Sequence, residues 1–231
     1  MTEPAPALVS LHLWRIPQAR VPAALLRMGL DRTRARRTPG VLFAKMLGTG
    51  HGRTFTVRDA DPTRWGALVT WSSEEAARDF PVARSWAALA EESWRVDLRP
   101  LASRGRWSGR EPFGGAPADP GGGPVAAITR ARLSVTRAAA FWRAVPAVSA
   151  ELHRSPGLLA AIGIGEAPLG LQGTFSLWSS AHALRDFAHR GPAHRDAVRR
   201  TAEEGWYAEE LFARFAVVGS HGTLDGRDPL A

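Results

Sequence analysis

Short runs of alternating apolar and polar residues divide the chain into two similar halves. In the first half, such runs predict strands at about 8–16, 41–47 and 67–71, with a helical pattern at about 22–36. A second helix, 85–92, and a closing strand follow. This β-α-β-β-α-β order is that of a ferredoxin-like unit. The same order recurs in the second half, so the pattern predicts two such units.

Two collinear sequence matches indicate an internal repeat. The segment from Trp71 to Phe80 agrees with that from Trp178 to Phe187 at seven of ten positions, 107 residues apart. Thr38-Pro39-Gly40 recurs as Ser155-Pro156-Gly157, 117 residues on. Two copies of about a hundred residues indicate a fused pseudo-dimer, because solenoids use shorter and more numerous repeats. We therefore predict an α+β fold of tandem ferredoxin-like repeats that pack sheet against sheet into a pseudo-twofold barrel, with the helices outside.

The predicted domain boundaries leave a short segment between the halves. We place the first half at 1–102, a Gly- and Pro-rich linker at 103–124 and the second half at 125–231. Purely flexible linkers seldom carry large aromatic residues, yet this one contains Trp107 and Phe113. These two side chains either fill a seam between the halves or help to line a ligand pocket.

Composition excludes several kinds of site. Hydrophobic residues make up 45% of the 231 residues, enough for a sizeable core. The absence of cysteine excludes disulfides, thiolate nucleophiles, iron–sulfur clusters and cysteine-ligated haem. No apolar run approaches the roughly 20 residues of a membrane span, and the N-terminus lacks a signal-peptide pattern. We therefore expect no stable membrane insertion and a cytoplasmic location.

The net charge of +8 raises the question of a nucleic-acid partner. The arginines, however, are spread along the chain, and one lysine with no asparagine is typical of a GC-rich genome. The densest run, 32–37, lies on a predicted helix, where charged residues usually face solvent. We predict no nucleic-acid partner.

One histidine lies where an apolar residue is expected. Gly191-Pro192 breaks a helical pattern, and Pro192 suits the first position of the next helix, which puts His194 in its first turn. Small and apolar residues such as Val198 and Ala202 continue the same stripe. His194 is therefore either a core histidine bound to a backbone carbonyl or a ligand of a flat cofactor. The patterns Ser-His-Asp, HExxH and GxGxxG are absent.

Several segments resemble the spheroidene monooxygenases of carotenoid biosynthesis. They are FAKMLGTGHGRTFT from Phe43, GRWSGREPF from Gly105, GTFSLWSS from Gly173 and FAHRGPAHRDAVRRTAEEGWYAEELFARF from Phe187. The resemblance covers nearly the whole chain. It implies a dimeric α+β barrel that holds haem, uses oxygen and takes electrons from a donor such as ferredoxin.

The resemblance also implies roles for particular residues. In haem-binding members of the wider group a histidine of a second-half helix ligates the iron, and by position this is His194, with His189 as the alternate. We predict haem b, with neutral His194 as the metal ligand. The other predicted cofactor-binding residues are two candidate propionate partners, Arg190 and Arg214, and three candidate pocket walls, Trp107, Phe113 and Trp206.

Two polar residues of the first half are candidates for catalysis. A monooxygenase must deliver protons to bound oxygen while excluding bulk water. His12 and Lys45 lie on predicted strands, on faces that can point inward. Alternatively, Lys45 is a propionate partner or a rim residue, and His12 points outward. We predict that one of the two lies in the haem pocket.

Three classes of function remain open at this stage. The leading one is a haem monooxygenase acting on a small apolar substrate, carotenoid-like or another secondary metabolite. The second is another haem reaction on the same barrel, such as aldoxime dehydration or a peroxide-driven reaction. The third is a cofactor-free barrel that oxidises an aromatic compound or only binds a ligand. The sequence also leaves homo-oligomerisation open.

Overall fold

The structure is a computed structural model that describes residues 5–54, 57–114, 119–133, 138–166, 171–191, 196, 199 and 206–231. These residues include eight strands and four α-helices. The elements of the first half are β1 (Leu8–Arg15), α1 (Val21–Arg37), β2 (Val41–Gly50), β3 (Ala60–Trp71), α2 (Pro81–Ala87) and β4 (Glu92–Gly105). Those of the second half are β5 (Val125–Leu133), α3 (Ala138–Arg154), β6 (Leu158–Gly165), β7 (Leu171–Trp178), α4 (Ala181–Arg190) and β8 (Tyr207–Gly222).

The eight strands form one closed barrel in the order β1-β3-β2-β6-β7-β5-β8-β4, and every neighbouring pair is antiparallel. Each half supplies four adjacent strands, and the halves meet along β2–β6 and β4–β8. This closed arrangement removes the free edges that two separate sheets would expose. The predicted α+β barrel of two ferredoxin-like units is confirmed.

The strand registers preserve the repeat residue by residue. Leu8 pairs with Trp71 in the first half, and Val125 pairs with Trp178 in the second. Both offsets, 117 in one strand and 107 in the other, are those of the sequence matches. Even the irregularity at the start of β2 against β3 recurs at the start of β6 against β7. Corresponding positions of the two halves can therefore be compared directly.

The two Trp-Phe pairs occupy corresponding positions, as the repeat predicts. Trp71 lies 5.3 Å from Phe80, and Trp178 lies 5.3 Å from Phe187, measured between ring centroids. Each indole also donates to a serine hydroxyl, from Trp71 to Ser10 and from Trp178 to a serine of β7. These contacts fasten the segment after the third strand of each half to its sheet.

Apolar side chains cover both faces of the barrel wall. Alternate residues of β1, among them Leu11 and Leu13, point into the barrel and join one interior core. Trp14 and Ile16 point the other way and pack with Met28 of α1. Among the helices that the structure describes, none combines the length and the apolar composition that crossing a bilayer requires.

Two hairpins close opposite ends of the barrel. The first follows β4, where Trp107 and Arg110 form an isolated bridge, and the second follows β8, where Leu224 and Arg227 form another. The segments 105–113 and 222–230 are themselves a repeat at the 117-residue offset, with Trp107 matching Leu224. Because β4 and β8 are antiparallel, their hairpins lie at opposite ends. We call them the first and second plug hairpins.

Three predicted boundaries change. The second helix of the first half is Pro81–Ala87, not 85–92, because Pro81 begins it at a position where a missing N–H costs nothing. The closing strand starts at Glu92 and continues to Gly105, so part of the predicted linker belongs to β4. The sequence also predicts a polar tail at 220–231, whereas this region contains the end of β8 and the second plug hairpin.

Candidate active site

Apolar side chains fill the barrel interior beneath the first plug hairpin. Phe113 packs edge-on against Phe215 at 4.9 Å, and Trp107 packs against Phe43 at 5.7 Å between ring centroids. Trp107 and Phe113 are both buried within the interior core. Of the two roles considered for these aromatics, the packing among the described residues supports filling a seam, and a role in lining a ligand pocket stays a prediction.

Large aromatic side chains also fill the layer between sheet and helices in the first half. Trp14 stacks on Trp86 of α2 with ring centroids 5.3 Å apart, and Trp65 lies 6.1 Å from the same ring. Trp14 and Trp65 face each other across β1 and β3. His12, the next outward residue of β1, is also buried in this layer, 5.4 Å from the ring of Phe80. This layer of the first half therefore has little free space.

The corresponding positions of the second half carry small or polar residues. Ala131 faces Gln172 across β5 and β7, where the first half has Trp14 facing Trp65. A buried tryptophan covers about 150–250 Å², so the second-half sheet contributes far less side-chain volume to its outer layer. We call the outward positions of β5 and β7 the second-half floor: Ala127, Thr129, Ala131, Gln172, Thr174 and Ser176.

The centre of the second-half floor is open. Thr129 corresponds to His12, which is only 4% exposed, yet the side chain of Thr129 is exposed. Its partner across the strands, Thr174, is half-buried. Within the part of the chain that the structure describes, Thr129 is thus exposed on a sheet face that helices cover in the other half, whereas Ala131, Gln172 and Ser176 beside it are buried. No such opening was predicted from the sequence.

A small cleft adjoins one edge of the second-half floor. Arg214 of β8 pairs with Ala127 of β5, and its side chain points outward and is exposed. The cleft has a volume of about 180 Å³ and is lined by Leu101, Ala102, Pro120, Val125, Ala181, Leu184, Arg185 and Arg214. Apolar walls with two arginines suit an apolar molecule that carries an acidic group. Arg214 thus lines this cleft, and its role as a propionate partner stays a prediction.

Some predicted cofactor residues lie outside the described part of the chain. His194 does, and so does the side chain of Arg190, whose backbone ends α4. The alternate ligand His189 is described and is exposed on α4. Trp206 is buried immediately before β8. Haem ligation by His194 and a wall role for Trp206 therefore remain predictions. No group of three metal-ligating side chains converges among the residues that the structure covers.

Of the two orientations considered for His12, the structure has the outward one. Its ring stacks on Trp14 at 5.8 Å, and its Nε2 lies 3.0 Å from the hydroxyl of Ser10, both on the outer side of β1. Burial, reinforced by the charge of Arg95, lowers the pKa of His12 to about 3. His12 is therefore a neutral packing residue, separated by the barrel wall from the interior face that carries Lys45.

Lys45 faces the interior, as predicted for its strand, and belongs to a cluster of charged groups under the first plug hairpin. Its ammonium donates to Glu166 at 2.5 Å and to the hydroxyl of Ser108 at 2.6 Å. The indole N–H of Trp107 donates to Glu166 at 2.6 Å, and Arg130 does so at 3.1 Å. These contacts fasten the hairpin to the barrel wall, so a catalytic role for Lys45 gains no support from them.

Both carboxylates of this cluster are held in the ionised form. Burial opposes ionisation of Glu166, but hydrogen bonds from Lys45 and Trp107 and the charge of Arg130 outweigh it, so the pKa of Glu166 is lowered. Glu209 accepts the backbone N–H groups of Ser108 and Gly109 and pairs with Arg130, which lower its pKa in the same way. We call Lys45, Arg130, Glu166 and Glu209 the ionic latch.

The ionic latch exists at one end of the barrel. At the other end the counterpart of Lys45 is Ile162, and the counterpart of Arg130 is Leu13, both members of the apolar core. The counterpart of Glu209 is Glu92, which keeps the carboxylate and accepts the N–H of Gly226 in the second plug hairpin at 2.6 Å. The two halves thus differ both at the barrel ends and on the outer faces.

Comparisons with known proteins agree with this architecture. The chain is 38% identical to the spheroidene monooxygenase of Rhodobacter capsulatus, over 96% of this chain and 95% of the relative. It is 37% identical to the spheroidene monooxygenase of Cereibacter sphaeroides, over 83% of this chain but only 60% of that relative's length. No family profile matches the chain.

Solved structures with the same fold include two aldoxime dehydratases. One has a TM-score of 0.65 at 11% identity and covers 96% of this chain and 86% of its own. The other, in complex with butyraldoxime, has a TM-score of 0.56 at 13% identity and covers 91% of this chain and 79% of its own. At these identities the likeness concerns the fold alone.

Proposed function

Because the chain belongs to the spheroidene monooxygenase family, we propose that it is a haem-dependent monooxygenase acting on a small apolar molecule. The observation that carries the proposal is the second-half floor, where Thr129 is exposed at the position that buried His12 occupies in the first half. An enzyme that had kept both outer layers packed would offer no room for a flat cofactor. We place haem b and its substrate over this floor.

Two residues are the proposed contacts of the haem group. His194 is the proposed iron ligand, since the chain has no cysteine and an imidazole is the usual alternative. Arg214, at the floor's edge beside an apolar cleft, is the proposed partner of a propionate. Haem, when bound, supplies the site of oxygen activation, with electrons from ferredoxin or another donor.

The floor residues have a different task from the cofactor. The hydroxyls of Thr129, Thr174 and Ser176 can hold ordered water and pass protons along one sheet face. The apolar side chains of the adjoining cleft, such as Leu184, exclude bulk water. We propose that protons reach the reacting centre along this face, and not through His12 or Lys45.

Haem ligation is tested by the absorption spectrum of purified protein supplemented with haem. We expect a Soret band that His194→Ala abolishes or strongly shifts. His189→Ala is the matched control, because His189 is an exposed histidine on α4 and its loss should leave the band unchanged. A band that survives His194→Ala but not His189→Ala would reassign the ligand, and no band in any variant would remove haem from the proposal.

The reaction class is tested by what turnover consumes. A monooxygenase requires oxygen and an electron donor, so activity on an apolar substrate should stop when either is withheld. Because the relatives are named spheroidene monooxygenases, a carotenoid is the first substrate to try. We also propose that the protein acts in the cytoplasm. Turnover of an aldoxime without net electron transfer, or turnover driven by peroxide alone, would favour the other haem reactions.

A further inference from the structure

Helix α1 presents leucines to solvent. Leu25, Leu26 and Leu30 are 57%, 71% and 65% exposed, while the opposite side of the helix packs on the sheet through residues such as Ala24 and Met28. Leu26 and Leu30 are one helical turn apart and therefore share a face. Single exposed leucines are common on protein surfaces, but on this 17-residue helix Leu26 and Leu30 form an apolar pair, with Leu25 about 100° further round the helix axis.

Arginines surround these leucines. Arg27 and Arg34 lie on one side of the exposed face and Arg32 and Arg36 on the other, given 3.6 residues per turn. The one acidic residue of α1 is Asp31, which is buried and accepts the indole N–H of Trp86 at 2.9 Å. Asp31 also pairs with Arg34 at 3.5 Å, but the arginines of α1 outnumber this single carboxylate, so the exposed side of the helix carries a net positive charge.

A broad groove runs alongside this face, between α1 and the start of α2. It has a volume of about 740 Å³ and is lined by Leu30, Thr33, Arg34, Arg37, Thr38, Pro81, Val82 and Ser85. Apolar side chains form part of its lining, and two arginines and three hydroxyls form the rest. This combination can accept an anionic headgroup beside an apolar chain.

We propose that the exposed face of α1 docks the protein on an anionic lipid surface. The helix would lie in the plane of the interface, with its leucines among the acyl chains and its arginines at the headgroups. Charge complementarity favours anionic lipid, and protruding leucines distinguish this surface from a purely electrostatic one that an acidic protein would fit. The docking face belongs to the first half, so it leaves the second-half floor uncovered.

The proposal is tested by sedimentation of the purified holoprotein with vesicles. Binding should be strong to phosphatidylcholine vesicles that contain phosphatidylglycerol, weak to pure phosphatidylcholine, and reduced by salt. Leu26→Ser with Leu30→Ser should weaken partitioning about tenfold or more. Arg34→Gln with Arg37→Gln should weaken it by a similar factor at low salt. Wild-type protein that fails to bind the anionic vesicles would overturn the proposal.

Matched controls separate the docking face from general surface effects. Val218→Ser removes another exposed apolar residue, 43% exposed on β8, and Arg154→Gln removes an exposed arginine at the end of α3, so both should bind like wild type. Unchanged binding by the leucine variant would overturn the proposal. The proposal would also be overturned by a dimer that forms with increasing protein concentration in the absence of vesicles and that only the leucine variant loses, as measured by light scattering. The face would then bind a second copy of the chain.

Docking on lipid does not depend on the haem assignment. Both can be measured on the same protein samples. The Soret band of each variant reports the cofactor site, and sedimentation reports the docking face. Loss of vesicle binding with an unchanged Soret band is the result that we expect for the leucine variant. A protein that binds vesicles but never haem would retain the docking face and lose the proposed function.

Discussion

At the scale of single residues, the side of the strand on which His12 lies determines its protonation. It lies on the outer side of β1, between the rings of Trp14 and Phe80, which carry no charge to compensate a positive imidazole. Burial and the nearby Arg95 therefore keep the ring neutral, with a pKa of about 3. A neutral imidazole in this layer helps packing at neutral pH and opposes folding in acid.

The pKa of His12 makes a prediction about acid stability. Between pH 6.5 and 3 the unfolded chain binds a proton at this histidine and the folded protein does not, so the free energy of unfolding falls as the pH is lowered. Between pH 6.5 and 4.5 the loss should be about 2–3 kcal/mol. His12→Gln should remove this part of the slope in urea titrations, whatever its constant effect on packing.

The control for this experiment is His182→Gln. His182 is 72% exposed in its side chain and pairs with Asp186 on the surface of α4, so its loss should leave the slope between the two pH values close to that of wild type. Equal slopes for His12→Gln and wild type would show that the buried neutral imidazole has been assigned incorrectly.

The sequence contained the alternation of His12 with Leu11 and Leu13 but not the direction of the barrel interior. Alternation identifies the buried face only where the other face is polar. Here helices cover the outside, so both faces of β1 are apolar, and Trp14 is as deeply buried as Leu13. Which face was internal could be decided only once the closed strand order was known.

At the scale of elements, the two plug hairpins are copies with different fastenings. Both have a non-glycine residue at positive φ followed by glycine, Ser108-Gly109 in one and Asp225-Gly226 in the other. Both turns donate backbone N–H groups to a glutamate at the start of a long strand. Only the first is also tied through Glu166, which receives Trp107, Lys45 and Arg130.

Breaking the ionic latch should loosen the first hairpin. Glu166→Gln removes the carboxylate that Lys45, Arg130 and Trp107 share. It should lower the free energy of unfolding by about 1–3 kcal/mol, less than for a fully buried ion pair because Lys45 and Glu166 are partly exposed. Because the pKa of Glu166 is lowered in the folded protein, its contribution is present above the ordinary pKa and lost in acid.

The matched control is Glu111→Gln in the same hairpin. Glu111 pairs with Arg106 at 3.4 Å, but both side chains are more than half exposed, and such pairs contribute roughly 0–1 kcal/mol. Denaturation of the two variants at neutral pH makes the comparison. If Glu166→Gln were no less stable than Glu111→Gln, the latch would have no structural role.

The hairpins were predictable in part. The segments 105–113 and 222–230 share glycine, arginine and proline at the same spacing, and the repeat offset could have revealed the match. Because glycine and proline usually indicate loops, the sequence alone predicts a linker and a polar tail there. The ionic latch was not predictable, since Lys45 and Glu166 lie 121 residues apart and meet only through the closed barrel.

At the scale of the whole molecule, a symmetric backbone carries an asymmetric set of side chains. The strand registers of the halves agree position by position, which the repeat predicted. Side chains, by contrast, fill the outer layer of one half with tryptophans and leave small and polar residues in the other. Aligning the strands of the two halves in the sequence shows these differences. Their structural meaning becomes clear only when the outward positions of β1, β3, β5 and β7 are known to lie on the outer face of the barrel.

The most direct test of the account is to fill the second-half floor. Thr129→Trp places a large ring at an exposed position, so it should fold and unfold like wild type while weakening haem binding tenfold or more in a titration followed at the Soret band. Val218→Trp, an equally large addition at an exposed site of β8, should bind haem normally. Undiminished haem affinity in a folded Thr129→Trp variant would contradict the placement of the cofactor over the second-half floor.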